Sequence, residues 1–442
     1  MTMATRVMID GFNLALDKGT GVATYARNLS HELHIMGLGV DVLYGKQAYN
    51  GRDLLRREVT FYDTKINQNV FLKFLSSGSK FIISLLTTPT ELPINGQVIT
   101  RTYASRLPYA DRIWNWPNVF GSAEALYYTT GITRSLRMTS PPDIMHWTYP
   151  LPIRTLGARN IYTIHDLVPL RLPYTTGDHK IHYLKLMRHL VKKADHIVTV
   201  SETSRRDIIS LLGCPEDRVT NTYQSVEIPA KLREKPDDVV RREVEGAFGL
   251  TYKNYFLFYG AIEPKKNIGR LIEAYLASGV TTPLVIVGAE AWKAETELRL
   301  LNEKTNQFTE QIENRYITRE RVRRFDYAPF PLLVSLIRGA KAVTFPSLYE
   351  GFGLPVLEAM LLGTPVITSR EGSTPEVAGE AAILIDPYDP RTLSEAIIEV
   401  DRNAELRDRL SAAGRAQAAL YSPEAYRGRL KDLYGKVLQR PV

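Results

Sequence analysis

The sequence predicts an α/β fold of two doubly wound, Rossmann-like domains facing a cleft. Three observations carry that prediction. The chain has 442 residues, more than one hydrophobic core accommodates. Strand-like and helix-like segments alternate through both halves, as parallel sheets with covering helices require. A charged stretch with two prolines, PAKLREKPDDVVRREV (229–244), separates the halves in the manner of a linker. The expected divisions are 1–228, 229–421 and a C-terminal helical tail, 422–442.

In the first half, RVMID (6–10) is a short apolar strand followed by the glycine loop Gly19-Thr20-Gly21. Val22, Tyr25, Ala26, Leu29 and Leu33 then recur at helical spacing over 22–37. VDVLY (40–44), DIMHW (143–147), NIYTIH (160–165) and HIVTVS (196–201) are buried-strand candidates, and ETSRRDIISLLG (202–213) reads as a helix stopped by glycine. Residues 46–141 interrupt the rhythm. They are too long and too apolar for a loop and are expected to hold helices covering one end of the first domain. Within them, Leu72, Phe74, Leu75, Phe81, Ile82, Leu85 and Leu86 are interleaved with Lys73 and Lys80. That pattern fits a buried core helix or one lying on a membrane surface.

The second half restarts the pattern. YFLFYG (255–260), PLVIVG (283–288), VRRFDY (322–327), KAVTFPS (341–347), TPVITS (364–369) and AAILID (381–386) read as strands, and NIGRLIEAYLAS (267–278) as a helix. SPEAYRGRLKDLYGKVL (422–438) begins at a serine cap with proline in its first turn.

Composition narrows the class. Hydrophobic residues make up 44% and charged residues 24%, which argues against disorder. Cys214 is the only cysteine, so no intramolecular disulfide forms, in keeping with a reducing compartment. The N-terminus lacks the apolar run of a signal peptide, and no stretch approaches the ~20 apolar residues of a membrane span. The expectation is a cytoplasmic protein. Its net charge of +8 is uneven: residues 1–240 carry 29 Lys+Arg against 22 Asp+Glu, and residues 241–442 carry 27 against 26. That excess suits an anionic partner or simple solubility.

Three turns place polar residues at the carboxyl ends of strands, where such sheets bind ligands. In FPSLYEGFGLPVLEAMLLGTPV (345–366), Glu350 stands in the loop and Glu358 one turn into the following helix. Gly351 and Gly353 permit close backbone approach or positive φ. The helix from Leu354 turns free N–H groups and its positive dipole end toward the cleft, an anion site. Carboxylates accept hydrogen bonds from paired hydroxyls such as a sugar or ribose diol; the plainer alternative is a helix start with ordinary surface charges. In YGAIEPKKNIGRL (259–271), Lys265 and Lys266 precede a helix that Asn267 can cap. Two cations there reinforce phosphate binding, unless one is solvated surface or paired with Glu263. In IHDLVPLRLP (164–173), Asp166 stands beside His165, and an acid so placed orients a histidine or tunes it for proton transfer. Taken singly, this dipeptide and the glycine loop at 19–21 have little specificity.

Together the segments are specific. EGFGLPVLEAMLLGTPVITS followed by STPEVAGEAAILIDPYD closely resembles the donor-binding region of retaining, nucleotide-sugar-dependent glycosyltransferases of family 4. YGAIEPKKN, LVIVG, ADHIVTVSETSRRDI and TIHDLVPL resemble that family in the same order, over most of residues 143–438; the likeness fades over 46–141. The resemblance implies the GT-B fold, with an acceptor-side N-terminal domain, a nucleotide-sugar-binding C-terminal domain and a last helix packing back toward the first. Glu350 matches the acid that contacts the transferred sugar. Gly351, Phe352 and Gly353, leading into Leu354, match the turn whose backbone reaches donor hydroxyls and phosphate. Glu358 matches the acid on the ribose diol, and Lys266 the lysine that neutralises the diphosphate. Many members pair that lysine with an arginine; here Ala261 and Lys265 hold the corresponding positions, and Lys265 is the substitute. His165 and Asp166 match the segment facing the transferred sugar or the acceptor, with His146 of HWTYP as a second histidine candidate. Gly19 and Gly21 are assigned with the donor-binding residues. Gln224-Ser225 replaces the usual Asn-Gly turn near the interdomain hinge.

The implied chemistry is hexosyl transfer with retention at the anomeric carbon. No Asp-x-Asp motif stands near the donor residues, so the expectation is a metal-free reaction without a cofactor beyond the donor. The lysines and the helix at Leu354 would offset the diphosphate, and the departing phosphate would take the acceptor's proton. GDP-mannose is the donor suggested by analogy with relatives bearing EPxKN and EGFGLPxLE. The expected acceptor is a saccharide or lipid-linked saccharide in surface polysaccharide or glycolipid synthesis, with peripheral membrane contact and no nucleic acid. The rivals are a sugar-nucleotide epimerase, a phosphorylase, a dinucleotide oxidoreductase (no G-x-G-x-x-G stands in the required context) and an inactive glycan- or membrane-binding homologue.

Overall fold

The computed structural model describes residues 5–15, 21–49, 51–63, 88–93, 98–99, 107–302, 306–312 and 315–442. The apolar segment 71–86 and Gly19 lie outside these residues.

The first sheet is built from β1 (Arg6–Asp10), β2 (Gly39–Tyr44), β3 (Thr90–Leu92), β4 (Arg112–Asn115), β6 (Ile144–Trp147), β8 (Arg159–Thr163), β9 (His196–Thr199) and β10 (Val219–Asn221). Its spatial order is β10-β9-β8-β6-β1-β2-β4-β3, parallel except that β3 runs against β4. β5 (Arg134–Leu136) and β7 (Ile153–Thr155) form a separate parallel pair. The associated helices are α1 (Gly21–Ile35), α2 (Leu54–Tyr62), α3 (Val119–Thr130), α4 (Val168–Arg171), α5 (Lys180–Lys193) and α6 (Glu202–Leu212). Apolar residues drive this arrangement. Val7, Ile9, Val40 and Val42 are solvent-free, as are Leu29 and Leu33 of α1. Each such side chain contributes roughly 1.5–3 kcal/mol by leaving water.

The second sheet has the order β15-β12-β11-β16-β17-β18 and is parallel throughout. Its strands are β11 (Phe256–Tyr259), β12 (Leu284–Val287), β15 (Val322–Phe325), β16 (Ala342–Phe345), β17 (Val366–Ser369) and β18 (Ile383–Ile385). An antiparallel hairpin, β13 (Gln307–Ile312) and β14 (Arg315–Glu320), stands between β12 and β15 in sequence and outside the sheet. The helices are α7 (Ala230–Arg233), α8 (Asp237–Phe248), α9 (Ile268–Ser278), α10 (Ala294–Glu297), α11 (Phe330–Gly339), α12 (Leu354–Leu361), α13 (Thr374–Ala378), α14 (Pro390–Arg402), α15 (Ala404–Ala419) and α16 (Pro423–Leu438).

Two sequence expectations are corrected. The insert 46–141 supplies strands as well as helices: β4 pairs with β2 and extends the first sheet. RIWN can do this because Ile113 and Trp114 point to opposite faces and are both covered. The stretch 229–244 is not a bare linker. Its two prolines stand immediately before α7 and α8. Val240, Val244 and Phe248 of α8 recur every four residues and are buried.

The chain crosses between the sheets after β10 and again before α16. Ser422 caps α16 by accepting from the Ala425 N–H. The helix lies against the first sheet's elements: Arg427 pairs with Glu32 of α1 at 2.6 Å, and Lys436 donates to the Asp217 carbonyl at 2.7 Å. No helix among the described residues is long and apolar enough to cross a membrane.

Candidate active site

Among the parallel strands each sheet has one switch point where the order reverses, the second between β11 and β16, the first between β6 and β1. Such switch points are where open α/β sheets bind ligands. The two C-terminal motifs leave β11 and β16, so adjacent strands deliver them to one place.

After β11 the chain makes a tight turn over Pro264–Lys266. Asn267 follows with φ 62°, a left-handed conformation that asparagine tolerates. Its side chain does not cap α9, as the sequence suggested. It is buried and donates to the carbonyls of Pro346 (3.1 Å) and Pro387 (2.7 Å). The turn is thereby tied to the loops after β16 and β18. A bond from the Leu348 N–H to the Lys265 carbonyl, 2.8 Å, adds a second tie.

This stitching brings Lys266 Nζ to 2.7 Å from Glu350 Oε1, and both side chains are almost fully covered. Burial works against ionising Glu350. Lys266 and Lys265 outweigh it and hold the carboxyl below its ordinary range. Lys265 lies 3.5 Å from Glu263. Burial pulls its pKa down, but the carboxylates of Glu350, Asp166 and Glu263 prevail and keep it above the usual lysine value. The cluster is a set of two cations and three acids with contributions from both domains.

Gly351 is where the domains touch. A Cβ on it would sit 2.7 Å from the His165 carbonyl oxygen and 2.9 Å from Asp166 Cβ. Gly353 has φ 101°, a conformation that L side chains avoid, and it turns the chain into α12 at Leu354. Between them Phe352 is buried with its ring edge-on to Tyr421 at 5.7 Å, so only its backbone can serve a ligand. Glu358, one turn into α12, has Oε2 2.9 Å from the Tyr259 hydroxyl at the end of β11. Burial pushes its pKa up to about 7, against the pull of the Tyr259 hydrogen bond.

Across the cleft, His165 Nε2 lies 2.9 Å from the Thr148 carbonyl. Burial lowers the imidazole's pKa, so the ring is neutral at neutral pH. A carbonyl only accepts, so Nε2 carries the hydrogen and Nδ1 is a bare acceptor. Asp166 Oδ1 accepts from the Val168 N–H at 3.0 Å and so braces the start of α4. His146 is excluded from the cleft. It is solvent-free, and its nitrogens lie 2.8 Å from Thr163 Oγ1 and 2.8 Å from the Tyr434 hydroxyl. Burial drives its pKa down to about 3. Gly21 opens α1, and a Cβ there would lie 3.8 Å from Leu354 Cδ1, so the starts of α1 and α12 face each other.

Lys265, Lys266, Gly351, Phe352, Gly353, Leu354, Glu350 and Glu358 thus share one region with His165, Asp166 and Gly21. Sequence reasoning missed Tyr259, Asp10 and the carbonyl of Thr148. Asp10 left a signal: a carboxylate closing the otherwise apolar interior of RVMID at the strand's carboxyl end.

Residues 242–417 match the family model described as glycosyl transferases group 1, and residues 19–227 match that of glycosyltransferase family 4. O-antigen chain mannosyltransferase B of Escherichia coli is 32% identical over 276 residues, covering 60% of this chain and 67% of that protein. The chain belongs to glycosyltransferase family 4. A second relative, O-antigen chain mannosyltransferase RfbU of Salmonella typhimurium, is 28% identical over 54% of this chain and 60% of its own length. Among solved structures, Anabaena HepE in complex with UDP and glucose superposes with a TM-score of 0.60 at 12% identity, covering 98% of this chain and 99% of that one. Two Rossmann-like domains of this kind make the family 4 protein a GT-B glycosyltransferase.

Proposed function

We propose that this glycosyltransferase moves a hexosyl group, mannose by analogy with its relatives, from a nucleotide-diphosphate sugar to a saccharide or lipid-linked saccharide, with retention at the anomeric carbon. One observation carries the reading. Lys265, Lys266 and the N-terminus of α12 converge on the Glu350 loop where it meets His165 and Asp166. Positive charge, an aimed helix end and hydroxyl-accepting carboxylates in one cleft suit a sugar joined to a diphosphate.

In this reading the lysines and the N–H groups from Gly353 onward hold the diphosphate without a metal. Glu358 takes the ribose diol, Glu350 the transferred sugar's hydroxyls, and His165 and Asp166 the sugar or the incoming acceptor. The acceptor oxygen bonds to the anomeric carbon as the carbon–phosphate-oxygen bond breaks, and the departing phosphate takes the acceptor's proton on the same face. Glu350 and Asp166 position and stabilise; neither forms a covalent bond. The mannosyltransferase names of the relatives favour GDP-mannose and polysaccharide synthesis.

A thermal-shift screen over nucleoside diphosphates tests the donor site, because a ligand of the native state raises apparent stability by mass action. The expected result is a shift with one diphosphate and none with the free sugar; no shift with any of them overturns the donor assignment. Release of free nucleoside diphosphate only when acceptor is present then separates transfer from epimerisation.

A further inference from the structure

At the other switch point, in the first sheet, β1 and β6 end side by side. Asp10, the last residue of β1, is completely buried. Its Oδ2 receives the Thr148 N–H and, at 2.9 Å, the Thr148 hydroxyl; its Oδ1 receives the Phe12 N–H at 3.2 Å. No lysine or arginine among the described residues pairs with it. A carboxylate left buried without a cation is costly, and it persists only where donors satisfy it. Here donors satisfy both oxygens, and two of them belong to one residue.

That residue is the one that holds His165. With its N–H and its Oγ both tied to Asp10, Thr148 has its backbone and χ1 fixed, so its carbonyl direction is fixed too. That carbonyl accepts from His165 Nε2. The edge-on ring of Tyr25, centroids 4.8 Å apart, keeps the imidazole from turning over. No described residue forms a hydrogen bond with Nδ1.

We propose that Asp10 is a positioning residue that acts through Thr148 to lock His165 in its Nε2–H tautomer, presenting Nδ1 as an acceptor to a sugar hydroxyl in the cleft. The proposal rests on the reading that His165 faces the sugar. Its chemistry is selective: a bare Nδ1 rewards a hydroxyl that donates at that position and leaves a deoxy sugar's methylene unmatched.

The test uses the full chain with 15N-labelled histidine. The His165 signal is identified by its loss in His165→Gln. The wild-type signal should report an unprotonated Nδ1. In Asp10→Asn one carboxylate oxygen becomes an NH2 group that faces a donor, so the Thr148 anchor loosens. Expected are a mixture of tautomers and a kcat lowered at least about tenfold, as for other residues that orient a functional histidine, with the donor KM little changed. Thr148→Val removes only the hydroxyl bond and should move both readouts less, in the same direction. It decides the matter if Asp10→Asn does not fold. A wild-type tautomer or a wild-type kcat in the deciding variant, with His165→Gln impaired, overturns the positioning role alone. Full kcat in His165→Gln overturns the reading of the site and the proposal with it.

Discussion

Burial works against a charge on Glu350, and two lysines reverse that effect. In the proposed reading the pair is poised: a diphosphate arriving at Lys266 would compete for the cation that keeps Glu350 ionised. Glu350→Gln retains an acceptor for Lys266 and should preserve the fold, while kcat falls by about 10²–10³, the usual loss when one preorganised electrostatic group is removed. Circular dichroism and turnover on one preparation check this; wild-type turnover sinks the assignment. Glu358 behaves oppositely. Its carboxyl is pushed up from 4.5 to about 7, so the folded state binds the proton more tightly than the unfolded chain. That contribution to stability is present below the lower value and is lost as pH rises through about 7. If Glu358 takes the ribose diol as proposed, it does so in its ionised form, so diphosphate affinity should fall as pH drops below about 7, by up to about tenfold per unit. Glu358→Gln should flatten that dependence in calorimetric titrations. Glu350, Lys265 and Lys266 were legible because each sits on a strand-turn-helix junction. The Tyr259–Glu358 bond joins residues 99 apart, and Asp10 reaches Thr148 across 138, distances at which no local pattern operates.

At the scale of elements, the β16–α12 junction does two things with two glycines. Gly353 turns the helix N-terminus into the cleft, and Gly351 lets the first domain approach to contact. Gly351→Ala places a methyl against the His165 carbonyl, and one domain must shift. Turnover should drop at least about tenfold, since small misplacements at a reaction centre cost up to about a hundredfold, while each domain's core stays intact. A far-ultraviolet spectrum like the wild type's with low kcat is the expected pair of results. The helix end and the lysines together make the metal-free reading testable: turnover should survive excess EDTA, and complete loss restored by a divalent ion contradicts it. The alternation of strands and helices made the second sheet almost fully readable, because FLFY and LVIV are short apolar runs, each closed by a glycine. The first was harder. RIWN stands in the insert 46–141, whose polar and aromatic sequence hides its membership of the sheet.

At the scale of the whole molecule, α6 is gripped from the other domain. The Glu376 carboxylate of α13 accepts the N–H groups of Glu202 (2.7 Å) and Thr203 (3.2 Å), adding a cap to the one Ser201 supplies. One turn on, Asp207 takes both Arg171 and the Tyr349 hydroxyl, and Val168 and Leu172 pack on Leu348. These contacts tie the two domains together beside the cleft. Glu376→Ala should cost about 1 kcal/mol as a lost cap. It should also raise the radius of gyration in X-ray scattering without donor and restore it with donor. An unchanged radius in both states counts against Glu376 as a closure contact.

The helix α16 has a consequence in time. Ribosomes deliver the chain from its N-terminus, yet the histidine in β6 finds its second partner only in Tyr434, 288 residues later. Until then the surface of α1 that Arg427 and its neighbours cover stands bare. The first domain is therefore the last to be finished, although it is the first to be made. A chain stopped before Pro423 should bury its second sheet normally and leave the first one loose, exposing amides in β6 and α1 to hydrogen exchange.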